Sequence, residues 1–448
     1  MSRRPHGRRS VRTSAPPGTR SGLEARQAAI ELLQAVVVAK QPLDEALHRA
    51  NQLAHLAWRD RAFARMLVST ALRRLGQIDA ALAGRLTRPL DQTPPAVLAI
   101  LRIGVAQAWF LNTPAHAVVS TGVDLANANG AAHAAGMVNA VLRALTEAVP
   151  DDLDSADAAR TNLPDWLYQR FAETYGAATA DAIVVAQLSE PPLDISVKAD
   201  PEAWAEQLDA TVLPTGTLRR VDGGAVTSLP GYAEGAWWVQ DAAAALPARL
   251  LGDVAGKRVI DLCAAPGGKT SQLAAAGAQV TAVDQAPSRL TRLSDNLARL
   301  ALSAELVTGD VETWRPDAPA DGVLLDPSCT STGTIRRHPD VPHLKGPNKI
   351  GRLVARQEHL LNSAVEMLTP GGLLVYCTCS LLPEEGERQI ARLLKRGAPL
   401  VREPVRPDEV PGLAEAITPD GELRTLPSHW PNQGGLDGFH VSRLRRTS

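Results

Sequence analysis

The stretch from Lys257 to Gln285, KRVIDLCAAPGGKTSQLAAAGAQVTAVDQ, decides the fold. RVIDL (258–262) is an apolar run of strand length, followed by the tight loop CAAPGG. KTSQLAAAG reads as a helix closed by Gly277, and QVTAVD as a second strand ending at Asp284. Strand, loop, helix and strand make the βαβ unit of a parallel, doubly wound sheet. Gly267 and Gly268 let backbone N–H groups approach a ligand, and the helix start behind them favours an anion. An acid closing the second strand is placed to accept hydrogen bonds from ribose hydroxyls. The dinucleotide fingerprint Gly-x-Gly-x-x-Gly is absent, so no pyrophosphate cradle is expected. A loop for one carboxylate followed by a ribose-binding acid suits S-adenosylmethionine. The bland reading of the same residues is a glycine-rich turn.

The strands that follow strengthen the cofactor reading. After the helix SRLTRLSDNLARL, with Leu290, Leu293, Leu297 and Leu300 inward, AELVTGD reads as a strand ending at Asp310, and GVLLD as one ending at Asp326. Four successive strands thus set Asp261, Asp284, Asp310 and Asp326 near their carboxyl ends, where open α/β sheets bind ligands. One terminal acid can be a helix cap, whereas several along one edge mark a site. The natural division gives Asp284 to the ribose, Asp310 to the adenine amino group and Asp326 to the reacting substrate.

Upstream the pattern changes. From Leu23 to about Pro150 it is helical throughout, an all-α domain at 23–150. In RAFARMLVSTALRRLG (61–76), Phe63, Met66, Leu67, Ala71 and Leu75 form an amphipathic stripe that Gly76 closes. QTPPAVLAILRIGVAQAWFL (92–111) reads as a buried helix. Residues 151–235 give further helices, a first strand in PPLDISVKA (191–199) and a small α/β unit. Residues 236–448 form the sheet domain. Residues 1–22 carry six Arg before position 21 and no acid, and read as a disordered basic tail.

Composition bounds the remaining choices. With 448 residues and 45% apolar content the chain has about three domains and ample core. Four cysteines in that length exclude a disulfide scaffold and point to a reducing, cytoplasmic compartment. No apolar run is long enough to span a membrane. A monomer is the default expectation. The net charge of −1 neither favours nor excludes a nucleic acid. Locally, residues 335–357 hold Arg336, Arg337, Lys345, Lys349, Arg352 and Arg356 against the single acid Asp340, which is either a solvated face or a phosphate-binding one.

LVYCTCSLL (374–382) sets Cys377 and Cys379 on one strand face. One intervening residue is not the spacing of a zinc or thioredoxin-like pair, so no metal is expected. Here the sequence resembles a known family. DLCAAPGGKT (261–270), DPSCTSTGTIRRHPD (326–340) and YCTCSLLPEE (376–385) resemble the NOL/NOP/Sun family of RNA cytosine carbon-5 methyltransferases. Within it they resemble the bacterial Sun type, which acts on 16S ribosomal RNA. TPAHAVVSTGVDLA and GMVNAVLRAL look like that type's NusB-like RNA-binding domain, and DGFHVSRLRR like the last strand of its catalytic sheet.

The resemblance implies roles residue by residue. Cys379, in the Thr-Cys-Ser triplet, would be the nucleophile and Cys329 the thiol that assists release. Cys263, Ala264, Ala265, Pro266, Gly267, Gly268, Lys269, Asp284, Asp310 and Asp326 would contact S-adenosylmethionine. Cys377 has no family role and reads as packing. Cytosine carbon 5 is a poor nucleophile until a thiolate adds at carbon 6, and a free thiol is only a few per cent ionised near neutrality. Asp326 would hold ring nitrogen 3. The basic stretch follows the Cys329 loop, so Arg336, Arg337 and Lys345 would pair with phosphates. One departure stands out: the family writes Asp-Ala-Pro-Cys, and this chain Asp326-Pro327-Ser328-Cys329. Proline restricts the residue before it, so the aim of Asp326 and of the Cys329 thiol is open.

The alternatives divide on the same residues. An amino-group methyltransferase wants an aromatic where Cys329 stands. A DNA cytosine methyltransferase would use Cys329 as nucleophile and leave CTCS unexplained. A relative acting on tRNA, or a non-catalytic ribosome-assembly factor on the same fold, needs an assay to separate.

Overall fold

The computed structural model describes residues 17–221 and 224–447. The chain divides into two compact units, one up to Leu153 and one from Asp154. The basic tail expected over 1–22 lies outside the described residues as far as residue 16. The rest of it is helical, because the first helix runs Pro17–Val37 rather than starting at Leu23. Proline suits that first position, where its fixed φ is already helical and its missing N–H would have no partner.

The first unit holds helices and no strand among its described residues. At its centre is Pro95–Phe110, in which every residue from Val97 to Gln107 is buried. An all-round apolar helix needs neighbours on all sides. Pro17–Val37, Trp58–Arg73, Ala115–Ala128 and Ala135–Glu147 supply them. Arg102, the one charge in that run, is held by both oxygens of Asp79 at 2.7 Å. Gly104 and Gly122 let their helices close on Leu142, whose side chain a Cβ at either position would meet.

Two expectations are corrected here. Trp58–Arg73 buries Ala64, Leu67, Val68, Ala71 and Leu72, so its inward face is rotated and Met66 stands 38% exposed. The helix also ends at Arg73, with Arg74 as its cap, and Gly76 lies inside the next one, Leu75–Ala83. The break falls where the Arg74 guanidinium turns to donate to the Leu153 carbonyl at 3.0 Å.

The second unit carries two sheets. Strands β1 (Leu193–Val197), β2 (Thr211–Val212), β3 (Leu218–Arg220) and β4 (Trp237–Val239) form a small antiparallel sheet in the order β2-β3-β1-β4. The larger sheet contains β5 (Arg258–Leu262), β6 (Gln279–Asp284), β7 (Glu305–Thr308), β8 (Ala320–Leu325), β9 (Leu368–Thr378), β10 (Leu400–Arg402), β11 (Leu423–Arg424) and β12 (His440–Arg446). Its order is β10-β12-β9-β8-β5-β6-β7, with β11 paired to β12. Strands β5 to β9 are parallel, as expected of a doubly wound sheet, and β12 adds to β9 antiparallel.

Helices cover both faces, which is why these strands read as unbroken apolar runs. Val323, Leu325, Leu374 and Tyr376 point to the side of helix Ile350–Glu366, whereas Leu324, Val375 and Cys377 point to the side of helix Gly268–Ala275. Cys377 is therefore core, fully buried, and burial pushes its thiol pKa well up.

Candidate active site

Successive strands leave β5 in opposite directions, β6 and β7 to one side and β8 and β9 to the other. The crevice opens at this switch point, beyond the carboxyl ends. A cleft lies there, lined among others by Cys263, Asp284, Asp310, Ser328, Arg356 and Leu360. Three of the residues expected to hold a cofactor, Cys263, Asp284 and Asp310, thus face one cavity. Burial pushes the Cys263 thiol up to about 12, so it lines the wall as an uncharged group.

The loop from Cys263 to Gly267 turns sharply. Cys263 has φ 60° and Gly267 φ 101°, and a Cβ on Gly267 would press on Leu293. Pro266 is exposed at the turn, Ala264 and Ala265 pack on Leu290 and Leu293, and Gly268 begins the helix. Asp284 secures this loop and the next: its oxygens accept from Ala265 N at 3.3 Å, Ala286 N at 2.9 Å and the Arg289 guanidinium at 2.7 Å. Arg289, 43% exposed, lies over a fully covered Asp284 side chain and so guards it. Asp261, the first acid of the expected row, is no ligand contact. It is buried within β5, accepts from Thr270 Oγ1 at 2.6 Å, and burial pushes it up to about 7.

Beside the cleft, adjacent strands β8 and β9 deliver the two other thiols. Cys379 follows the end of β9, Cys329 sits in the loop after β8, and their sulfurs are 3.3 Å apart. With Pro327 one place early, the Cys329 thiol still reaches its partner. Ser331, at φ 60°, folds its N–H back to Cys329 Sγ at 3.4 Å. The hydrogen bond with Cys379, together with burial, holds the Cys329 pKa well above the ordinary thiol value, so the pair keeps a proton there. Gly333 closes the arrangement, donating to the Cys379 carbonyl at 2.9 Å. Its Cα runs so near the Gly438 carbonyl that no Cβ fits.

Lys269 points to this second group rather than into the cleft. Its ammonium is 2.5 Å from Asp326 and lies over the Phe439 ring at 5.4 Å. Burial opposes the charge, but Asp326 overcomes it and holds the Lys269 pKa above the usual lysine value. The family resemblance assigned Lys269 to the cofactor and did not identify this pairing, 57 residues distant along the chain.

The expected phosphate contacts are corrected. Arg336 is 1% exposed, with Nε on Asp437 at 2.8 Å and an NH2 on Asp241 at 2.9 Å. Arg337 binds Asp241 at 2.6 Å and Asp437 at 3.1 Å, and lies 3.7 Å from Asp194. Arg219 completes the cluster, bidentate on Asp194 at 2.7 Å. Both Arg336 and Arg337 are therefore consumed in joining the small sheet to the large one. Of the three, Lys345 is half-exposed and makes no ion pair among the described residues. Breaking a buried ion pair strands its partners, so Arg336→Leu should destabilise the protein by about 3–5 kcal/mol in urea denaturation. A variant as stable as the parent would return Arg336 to a surface role.

The chain is similar to known proteins over nearly its whole length. Residues 248–445 match the family model described as 16S rRNA methyltransferase RsmB/F, and residues 23–147 match the NusB family. It is 34% identical to the ribosomal RNA small subunit methyltransferase B of Vibrio cholerae, over 95% of this chain and 98% of that one. With the protein of the same name from Pseudomonas syringae pv. tomato it shares 34% identity, over 94% and 97%. Among solved structures, that of PH0851 superposes with a TM-score of 0.74 at 24% identity, covering 97% of this chain and 99% of that one. NSun6 from Pyrococcus horikoshii with SFG gives a TM-score of 0.55 at 19% identity, covering 64% and 98%. These two likenesses establish the fold. Among the described residues no cluster of side chains fits a metal, and no helix is long and apolar enough to cross a membrane.

Proposed function

This chain belongs to the RsmB/F family of small-subunit ribosomal RNA methyltransferases, and from that premise we propose that it methylates carbon 5 of a cytosine in 16S ribosomal RNA through a covalent bond to Cys379. The observation that carries the reading is the 3.3 Å approach of Cys379 and Cys329 beside a cleft lined by acids.

S-adenosylmethionine fits that cleft by its donor set. Asp284 and Asp310 would accept from ribose hydroxyls and the adenine amino group, and the helix start at Gly268 would face a carboxylate. When bound, it supplies an electrophilic methyl group. Cys379 Sγ bonds to carbon 6 of the base, which has been unstacked to reach it. The electron pair displaced toward nitrogen 3 is taken up by a proton that the Lys269–Asp326 pair passes to that nitrogen through Asp326, and the pair recovers it when the base is released. Carbon 5, now nucleophilic, takes the methyl group. The carbon-5 proton passes to Cys329, once that thiol has given its own proton to water, the ring double bond re-forms, and the Cys379–carbon bond breaks with its electrons returning to sulfur.

Transfer of labelled methyl to undermodified small-subunit RNA, followed by mapping of the modified nucleotide, tests the reading. A label on an exocyclic amine, or on tRNA alone, would overturn it. Asp284→Asn should weaken S-adenosylmethionine by about 10- to 100-fold in calorimetric titration, the order of one lost charged hydrogen bond. The KM for RNA should not change.

A further inference from the structure

We propose that Glu385 is the positioning residue of the thiol pair, holding nucleophile and release group in register by binding the residue that follows each. Its side chain is fully buried in the turn Pro383–Glu385 after β9. Oε1 accepts from Thr330 N at 3.0 Å and from Gln357 Nε2 at 2.9 Å. Oε2 accepts from Thr330 Oγ1 at 2.5 Å and Ser380 Oγ at 2.6 Å. Thr330 succeeds Cys329, and Ser380 succeeds Cys379. One carboxylate therefore ties the β8 loop to the end of β9 at the two points where the sulfurs depart.

The supports around it follow the same plan. Gln357 also donates to the Ser328 carbonyl at 3.0 Å, on the other side of Cys329. Tyr376 Oη donates to the Glu385 backbone carbonyl at 2.7 Å, fixing the turn to the strand that carries Cys379. None of the side-chain partners of Glu385 among the described residues is a lysine, arginine or histidine. Burying a carboxylate with no cation costs several kcal/mol or more, whereas an apolar residue would fill the space without that penalty. What the carboxylate adds is directional: acceptors enough for both loops at once. Glu385 touches no reacting atom and acts through Thr330 and Ser380.

The inference rests on the two-thiol reading above. The experiment uses the full chain with Glu385→Gln, which keeps the shape but turns an amide N–H2 toward a ring of donors. The kcat should fall by about 10²-fold, the effect of misplacing a reacting group by about 1 Å, with KM for RNA and for S-adenosylmethionine unchanged. In a Cys329→Ala background, Glu385→Gln should slow covalent adduct formation by a similar factor. A purely structural role would lower the melting temperature and leave kcat per folded molecule at the parental value, which overturns the proposal. Should Glu385→Gln fail to fold, Thr330→Val and Ser380→Ala each remove one hydroxyl contact to Glu385, and each should lower kcat by about tenfold. Parental kcat in both overturns it equally. Activity in Cys379→Ala would instead sink the two-thiol reading itself, so the two failures are distinct.

Discussion

Cys379→Ala should abolish methyl transfer, with kcat falling by about 10⁴-fold or more, the order seen when a covalent nucleophile is deleted. The size of the effect follows from the chemistry. Without addition at carbon 6, carbon 5 has no electron pair to offer, and nothing else in the site substitutes. Cys263 is uncharged in the cleft wall, and Cys377, on the same face as Cys379, is fully buried in the core. Binding should survive, because Cys379 is not among the residues lining the cleft. The measurement is single-turnover transfer of labelled methyl together with equilibrium binding of both substrates. Transfer at the parental rate would remove Cys379 from the mechanism. Loss of binding as well would reassign it to the architecture of the site.

Cys329→Ala should give the opposite signature: turnover lost by about 10²- to 10⁴-fold, but a protein–RNA adduct that accumulates. Cys379 still attacks and carbon 5 still takes the methyl group, whereas the proton that must leave carbon 5 has lost its assistant. The adduct should survive denaturing electrophoresis, require RNA, and vanish in the Cys329→Ala, Cys379→Ala double variant. The 3.3 Å sulfur contact makes this test sharp, since the alanine leaves Thr330 and its hydrogen bonds in place. An inactive variant with no adduct would place Cys329 before bond formation, not after it.

Much of this was legible in the chain because it is local. The strand from Arg258 to Leu262, the turn at Gly267 and the acid at Asp284 lie within one βαβ unit, and hydrophobic period and glycine placement encode it directly. The inward Leu290, Leu293 and Leu297 followed from helical spacing alone. Misreadings came where a residue's partner is remote. Arg336 and Arg337 look like phosphate ligands in a basic run, and only folding shows Asp241 and Asp437 about a hundred residues away neutralising them. Glu385 lies inside a motif with no legible role of its own, because its meaning depends on Thr330, 55 positions earlier. Asp261 was counted with the site for its place at a strand end, but period-two alternation had already turned it inward.

The cluster of Arg219, Arg336 and Arg337 with Asp194, Asp241 and Asp437 has a consequence for engineering. The small sheet cannot be exchanged as a cassette for the corresponding piece of a relative. A graft that brought its own strands without Asp194 and Arg219 would take away the carboxylate 3.7 Å from Arg337 and the guanidinium that binds the Gln433 and Gly435 carbonyls. Chimeras built to redirect the enzyme to other RNAs should therefore cut ahead of Leu193 and carry all six charges across together.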